Sequence, residues 1–377
     1  MRQSASIQEE GPDIPYLNLL EPYSLVRAFL DYPPKLFSVT DVCRPVAVVP
    51  GFCTPFDLLT TLDETAKQIL TSIPFFHGRF LKPETLFVGT TVSEYLLYPP
   101  SINPARLVAD LLEDLEHRKL QLLILKDIPL KSPLLSDHEN TVAAQLVDHC
   151  KDAGLQILAG QALAYVPIEF VSIDEYMRSL SYSRRKNLRR KLRSRRWVDV
   201  EEIPTGDPIF SKESFLRELF NLYLNVYQQS RIHFDRLTLP FFRCLLQEPS
   251  HNGTVFIYRR QKKIIGYNVC FIYNHNLVDK YVGFLYPDAR EVNLYFLSWF
   301  YNLEYALKHR LKFYIAGWTD PEIKAFLGAQ FTMTLHAVYL KNPLLRGLLK
   351  KLKRFFEPDQ KWYGASGSAL LDREYPI

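Results

Sequence analysis

The sequence predicts an α/β (α+β) fold built from two domains. The chain has 377 residues, a length that fits about two domains of ordinary size. Apolar residues make up 47% of the chain and aromatic residues 14%, a composition typical of globular proteins. Short β-prone segments alternate along the chain with segments whose apolar residues recur every three or four positions, as in amphipathic helices.

The first half is predicted to be a lead-in followed by one α/β domain. Residues 1–40 are rich in proline and polar groups and form the lead-in. Residues 41–171 form the domain, in which Asn103 is a predicted N-cap and Gly154 a predicted helix end. Strands are predicted at residues 45–52, 86–98, 121–128 and 155–168, and helices at residues 57–73, 103–117 and 140–153.

The second half, residues 172–342, is predicted to form the second domain. Ser172 or Asp174 caps a helix whose arginines lie off its apolar side. Two segments in which apolar and polar residues alternate, joined by a polar turn, predict a hairpin. Helices are predicted at residues 172–194, 214–230 and 236–247, the hairpin at residues 254–260 and 263–273, and a strand, turn, helix and two strands between residues 277 and 340.

Residues 276–337 contain a strand, a short connection, a long helix and a second strand, followed by the segment AGWTDPEIKAFLGA. This arrangement resembles the C-terminal half of FemAB-like members of the GNAT acyltransferase superfamily. Arg310 stands where the family usually has a glycine after the helix. The basic helix at residues 172–194 resembles the helix that opens the same half. The matching positions are Ala306, Gly317, Asp320, Lys324, Phe326 and Gly328.

The resemblance covers roughly residues 172–340. It implies two GNAT-like domains, each a mixed twisted sheet flanked by helices, with residues 41–171 as a diverged copy. It also implies acyl transfer to a small-molecule amine acceptor in a cleft between the two domains. The acyl-CoA co-substrate would bind at the turn before the long helix, where free backbone N–H groups can hold phosphate.

That turn, DAREVN, lacks the glycines of the usual pyrophosphate loop. The resemblance nevertheless assigns cofactor binding to it, helped by the charge of Arg290. An ordinary polar turn and helix cap is the alternative. The assigned residues are Ala289, Arg290, Glu291, Val292, Asn293 and Leu294.

Acyl transfer to an amine needs a base and often an acid. Asp279 is the predicted base and Tyr286 the predicted acid, both near the end of a strand. Because side chains alternate along a strand, Asp279 and Lys280 are expected on opposite faces. An exposed pair without catalytic function is the alternative for these residues.

Other polar residues are predicted to line the acceptor side. His233 and Asp235 lie in a segment, RIHFDRLT, that resembles one found near the acceptor in the family. Trp318, Asp320 and Lys324 are also predicted to bind substrate. Lys324 resembles the late lysine of the family, which would neutralise an acidic acceptor or a phosphate. Structural or solvated roles are the alternatives.

The positive charge of the chain is concentrated in one helix. The segment from Arg184 to Arg196 carries nine positive charges, so the rest of the chain has a net charge of 5 − 9 = −4. Such a segment can bind RNA phosphates, cofactor phosphates or an acidic membrane. Arg185, Arg189 and Arg193 are the predicted phosphate contacts, and tRNA is one predicted partner.

A second basic segment runs from Pro343 to Phe356 and is amphipathic. It resembles a helix that lies on a membrane surface, with docking on its own domain as the alternative. Residues 343–377 are assigned to this helix and a tail. No signal peptide, membrane span or metal-ligand motif is evident, so we expect a cytoplasmic protein without a metal, with attachment to the inner face of the membrane as an alternative.

Three functions are compatible with these patterns. The first is an N-acyltransferase that moves an acyl group from acyl-CoA to an amine. The second is a FemAB-type transferase that uses aminoacyl-tRNA and acts on a peptidoglycan precursor. The third is a non-catalytic module that binds nucleic acid or a membrane surface.

Overall fold

In the part of the chain that the structure describes, eleven strands form one mixed sheet that runs through both predicted domains. The computed structural model describes residues 16–42, 48–57, 82–230 and 234–343, and also Arg346, Gly347 and Leu349. The strands are β1 (Ser38–Val42), β2 (Val49–Pro55), β3 (Glu84–Val88), β4 (Leu122–Leu130), β5 (Gln156–Pro167), β6 (Asp199–Pro204), β7 (Gly253–Arg260), β8 (Lys263–Tyr273), β9 (Asn276–Phe284), β10 (Phe313–Gly317) and β11 (Gln330–Leu340).

The order across the sheet is β1-β2-β3-β4-β11-β5-β10-β9-β8-β7-β6. The last strand, β11, is therefore inserted between β4 and β5 of the first half and pairs antiparallel with both. Strands β3 and β4 are parallel, as are β9 and β10. The predicted mixed α/β fold is confirmed, while the predicted boundary between residues 171 and 172 stays a prediction.

Helices cover both faces of the sheet. They are α1 (Tyr23–Asp31), α2 (Pro104–His117), α3 (Asp137–Asp152), α4 (Ile173–Ser179), α5 (Tyr182–Leu192), α6 (Glu213–Gln229), α7 (Leu239–Gln247), α8 (Asp288–Glu291), α9 (Leu294–Lys308) and α10 (Pro321–Leu327). Helices α4, α5, α9 and α10 share one apolar core with the strands of the second half. Helices α1, α6 and α7 pack in a second core that also includes strands of the first half.

The basic helix predicted at residues 172–194 is two helices. Leu180 has an extended backbone and ends α4, and Ser181 then begins α5 by accepting a hydrogen bond from the backbone N–H of Arg184. Ser172 caps α4 in the same way, and Asn103 caps α2, as predicted. Ser181 is an N-cap signal for this second helix, but the run of arginines that follows made the segment look like one continuous helix.

Three further elements differ from prediction. Strand β6 was not predicted, because this edge strand exposes charged residues and lacks apolar alternation. The strand predicted at residues 86–98 ends at Val88, where Gly89 has a φ of 116° and turns the chain. The turn predicted at residues 287–289 belongs to helix α8. The helix predicted at residues 57–73 lies outside the described residues, except for Asp57.

Among the described residues, none of the helices has the length and apolar character needed to cross a membrane. Most of the second basic segment lies outside the described residues. Within it, Leu349 is buried in the core shared with α1, and the Arg346 guanidinium lies over the ring of Tyr339. These two contacts favour docking of the segment on the protein itself.

Candidate active site

Strands β9 and β10 separate in the middle of the sheet and leave an opening. Their parallel pairing stops at Ile315 and Val278, whereas β9 continues to Phe284 while paired with β8. A bulge at Lys280 bends β9 at this point, since Val269 pairs with Tyr281 and Cys270 with Asp279. Within the described chain, no strand pairs with the β10 side of β9 beyond Val278.

Asp279 lies at the start of this opening and is held by three side chains. Its Oδ2 atom accepts hydrogen bonds from Asn302 Nδ2 at 2.8 Å and from the Tyr314 hydroxyl at 3.0 Å. Its Oδ1 atom accepts one from Asn268 Nδ2 at 3.4 Å. The donors come from α9, β10 and β8, so the carboxylate ties together the elements around the opening.

Burial raises the pKa of Asp279 to about 6. The hydrogen bonds from Tyr314 and Asn268 and the positive charge of Lys324 oppose this rise. Asp279 is therefore largely ionised at neutral pH, but it takes up a proton in the mildly acidic range.

Lys324 provides the positive charge opposite Asp279. It lies on α10 and is only 4% exposed. Burial lowers the pKa of its ammonium group to about 8, while Asp320 and Asp279 favour the charged form. A Cβ atom placed on Gly317 would lie 3.8 Å from the Asp279 carbonyl oxygen and 4.0 Å from Lys324 Nζ, so both groups border the same point of the opening.

Helix α10, which carries Lys324, is anchored from the other side of the core. The Arg184 guanidinium donates hydrogen bonds of 2.7 Å to the carbonyl oxygens of Phe326 and Ala325. The Tyr176 hydroxyl donates one of 2.6 Å to the carbonyl oxygen of Leu327. Arg184 is thus a buried part of the fold that helps to position Lys324.

Lys280 lies on the opposite face of β9, as predicted. Its Nζ atom is 2.5 Å from Glu94 Oε1, and both side chains are almost completely buried. Asp235 belongs to the same polar region, where burial raises its pKa and the charges of Lys126 and Lys280 lower it. Trp318 meets the ring of Tyr95 edge-on at 6.4 Å.

The remaining predicted site residues are more scattered. His233 lies outside the described residues. Asp320 is exposed and immediately precedes α10. Tyr286 is half-buried, its pKa is raised chiefly by burial, and the Arg290 guanidinium lies 4.8 Å from the centre of its ring.

The turn predicted to bind cofactor phosphate uses its own backbone donors. The N–H groups of Ala289, Arg290 and Asn293 donate to the carbonyl oxygens of Leu285, Pro287 and Arg290 at 2.8, 2.9 and 3.0 Å. Those of Glu291 and Val292 donate within the same turn. The expectation of free N–H groups is therefore wrong for residues 289–293, because the glycine-free chain closes into α8. The cofactor-binding role of residues 289–294 stays a prediction.

Helix α5 and the short 3-10 helix that follows it divide their positive charges between the interior and the surface. Arg185 donates to the carbonyl oxygens of Arg178 and Leu180, and Lys191 Nζ donates to Asn293 Oδ1 at 3.2 Å. Arg195 forms a bidentate ion pair with Glu304. Arg195 is itself exposed, and the other exposed cations are Lys186, Arg189, Arg190, Arg193 and Arg196, next to the half-exposed ring of Trp197.

Sequence reasoning missed the residues that hold Asp279. Asn268 is completely buried. It donates a hydrogen bond of 3.0 Å to Asn302 Oδ1 and accepts one of 2.6 Å from the Tyr258 hydroxyl. Asn302 is also completely buried, in the middle of the mostly apolar helix α9. A lone amide inside a strand or helix of apolar residues is a detectable signal, because buried amides need partners.

The mixed sheet, which opens between the parallel strands β9 and β10 and has helices on both faces, agrees with the GNAT-like fold that the sequence predicted. The chain belongs to the FemAB-like family: the profile of this family, described as peptidoglycan biosynthesis/recognition, matches residues 101–363, more than half of the chain. No curated protein matches the chain significantly.

Three solved structures share the fold at low sequence identity. The C-terminal domain of a candidate lysylphosphatidylglycerol synthetase from Agrobacterium fabrum has a TM-score of 0.53 and 13% identity, covering 87% of this chain and 89% of that one. L-PGS from Bacillus licheniformis has a TM-score of 0.51 and 9% identity, with coverages of 90% and 98%. FemX has a TM-score of 0.51 and 10% identity, with coverages of 90% and 96%. Family and fold together support an acyltransferase-type function.

Proposed function

We propose that the chain transfers an aminoacyl group from aminoacyl-tRNA to the amine of a peptidoglycan precursor. The observation that carries the proposal is the buried pair of Asp279 and Lys324 at the opening between β9 and β10. The description of the family supports the acceptor class. The exposed arginines of α5 and the following turn support a nucleic-acid donor.

In the proposed reaction the amine attacks the ester carbonyl of the donor. A C–N bond forms, the ester C–O bond breaks, and the leaving hydroxyl gains the proton that the nitrogen loses. The Lys324 ammonium would stabilise the negative charge that develops on the carbonyl oxygen. Asp279 would keep Lys324 protonated and fix the strands around it, a role that suits a carboxylate already engaged by three donors.

The rate of transfer is expected to follow a bell-shaped pH profile. Asp279 must be ionised, so activity falls as pH decreases through its pKa of about 6. Lys324 must be protonated, so activity falls as pH increases through its pKa of about 8. Initial rates measured from about pH 5 to about pH 9, roughly one pH unit beyond each of the two pKa values, check this profile. A flat profile would contradict the assignment.

Charge reversal on α5 tests the donor. Arg189→Glu combined with Arg193→Glu should weaken tRNA binding about tenfold or more and flatten its salt dependence, because two phosphate contacts are lost. The matched control is Lys151→Glu with Lys212→Glu, which changes two exposed lysines outside α5. Equal tRNA affinity in the two double variants would count against tRNA as the donor.

Acyl-CoA is the second candidate donor. The edge of β9 beyond Val278, which no strand of the described residues pairs, favours it, because such an edge can hydrogen-bond an extended amide chain like that of CoA. Two results together would establish this donor in place of aminoacyl-tRNA. Acyl-CoA would bind equally well to the Arg189→Glu, Arg193→Glu double variant, and the chain would form an amide from acyl-CoA.

A further inference from the structure

Glu21 is a buried carboxylate with no hydrogen-bond partner in the described part of the chain. It precedes α1 and is 0% exposed, and neither of its carboxylate oxygens has a donor within hydrogen-bonding geometry. The backbone N–H of Glu94 favours its charged form without meeting that geometry. A buried carboxylate normally has partners, so this one has unused capacity to accept hydrogen bonds.

Glu94 lies beside Glu21 and also has capacity to spare. It follows a buried turn in which Thr90 Oγ1 accepts a 2.9 Å hydrogen bond from the backbone N–H of Ser93. Its Oε1 atom pairs with Lys280, but its Oε2 atom is buried and has no partner in the described residues. Among the described residues, three buried carboxylate oxygens, two of Glu21 and one of Glu94, therefore lack partners on the Lys280 side of β9.

Among the described residues on this face of β9, acidic groups outnumber basic groups. Lys280 and Lys126 face four carboxylates, so these six groups carry 2 − 4 = −2 charges when all are ionised. His336 does not balance the excess, because burial lowers its pKa and keeps it neutral. The carboxylates are those of Glu21, Glu94, Asp127 and Asp235.

The missing charge is better supplied by an ammonium group than by a metal ion. No three acidic, histidine or cysteine side chains of the described residues are grouped to hold a metal. An ammonium group offers three donors, which matches the free oxygens of Glu21 and Glu94. Leu20 and Tyr95, their chain neighbours, belong to an apolar cluster with Trp318 that suits an aliphatic stem.

The region also adjoins the reaction centre. Glu94 is one of the charges that favour the protonated form of Lys324, and Lys280 directly follows Asp279. We propose that Glu21 and Glu94 form the subsite that binds the ammonium group of an aliphatic amine acceptor, an assignment that rests on the proposed function. The acceptor would reach the opening from the face of β9 opposite the Asp279 side chain. Before attack, the ammonium would give one proton to the Glu21 carboxylate, and the neutral amine would lose its second proton to the leaving hydroxyl.

Cation binding at this subsite should release a proton. Burial raises the pKa of Glu21 to about 8, Lys280 and Lys126 lower it, and Glu94 raises it. Tyr273 and Tyr281 also face Glu21, and Asp235 faces Tyr281 and Lys280. Because Glu21 is mostly protonated in the empty site at pH 7, an arriving cation displaces that proton. Affinity should therefore rise from about pH 6 to about pH 8, as Glu21 ionises through its pKa of about 8.

Calorimetry with n-butylammonium as the probe and n-butanol as its neutral isostere tests the subsite. We expect the wild-type chain to bind the cation at least about tenfold more tightly than the alcohol, because hydrogen bonds between charged groups are stronger than those of a neutral hydroxyl. The binding heat should differ between phosphate and HEPES buffers by the released proton. Glu21→Gln and Glu94→Gln should each abolish the preference, whereas the exposed control Glu202→Gln should keep it.

Equal affinity of the wild-type chain for cation and alcohol would overturn the proposal, as would an unchanged preference in both glutamine variants. Thermal unfolding of each variant shows whether it is folded, and Glu94→Asp, which keeps the charge, should retain part of the preference. This subsite can fail while Lys324 variants still lose transfer activity. Conversely, cation binding together with full activity of Lys324 variants would overturn the proposed function alone.

Discussion

Lys324→Met should lower kcat for acyl transfer by about 10²–10³-fold, the usual loss when one donor to a developing oxyanion is removed. Methionine fills a similar volume but has no charge to stabilise the carbonyl oxygen. The free energy of unfolding should not fall, because the lowered pKa shows that burial costs the Lys324 ammonium more than its attraction to Asp320 and Asp279 offsets, and the substitution removes this net cost. Steady-state kinetics and thermal unfolding on the same preparation separate the two effects.

Lys308→Met is the matched control, since Lys308 is an exposed lysine on the neighbouring helix α9. It should keep the wild-type kcat. If Lys324→Met also kept it, Lys324 would have no part in the chemistry. A raised KM with an unchanged kcat would instead assign Lys324 to ground-state binding.

Asp279→Asn should lower kcat at pH 7 by about 10²-fold and change the shape of the pH profile. The acid limb near pH 6 should disappear, because the group that titrates there is gone. The alkaline limb should move to lower pH, because the Asp279 charge that favours protonated Lys324 is also gone. Stability should fall as well, since the new amide donor faces donors from Asn302 and Tyr314.

Asp320→Asn provides the comparison for this variant. Asp320 also favours protonated Lys324, but it is exposed and does not hold β9 and β10 together. Only the alkaline limb should move in this variant. An acid limb that persisted in Asp279→Asn would show that another group titrates near pH 6.

The sequence predicted elements better than it predicted their arrangement. The strand, helix and strand around β9, α9 and β10 followed from local periodicity, and the family resemblance pointed to Lys324. The insertion of β11 between β4 and β5 was not predictable, because strand order depends on contacts between distant parts of the chain. The bulge at Lys280 likewise has no local signal.

The residues around the site show the same limit. Asp279 and Lys280 were correctly expected on opposite faces, because a two-residue period is a local property. Their partners Asn302 and Glu94 come from other elements and meet them only in the folded chain. Glu21 lies in an apolar segment beside a proline, and nothing local shows that its carboxylate is buried.

Rapid-quench kinetics tests the central claim most directly. The wild-type chain or Lys324→Met would be mixed with labelled aminoacyl-tRNA and a peptidoglycan precursor carrying a free amine, and the labelled amide measured over a single turnover. Our account predicts amide formation by the wild-type chain and a rate about 10²–10³-fold slower for Lys324→Met, with equal binding of tRNA. Amide formation at the same rate in both proteins would contradict it.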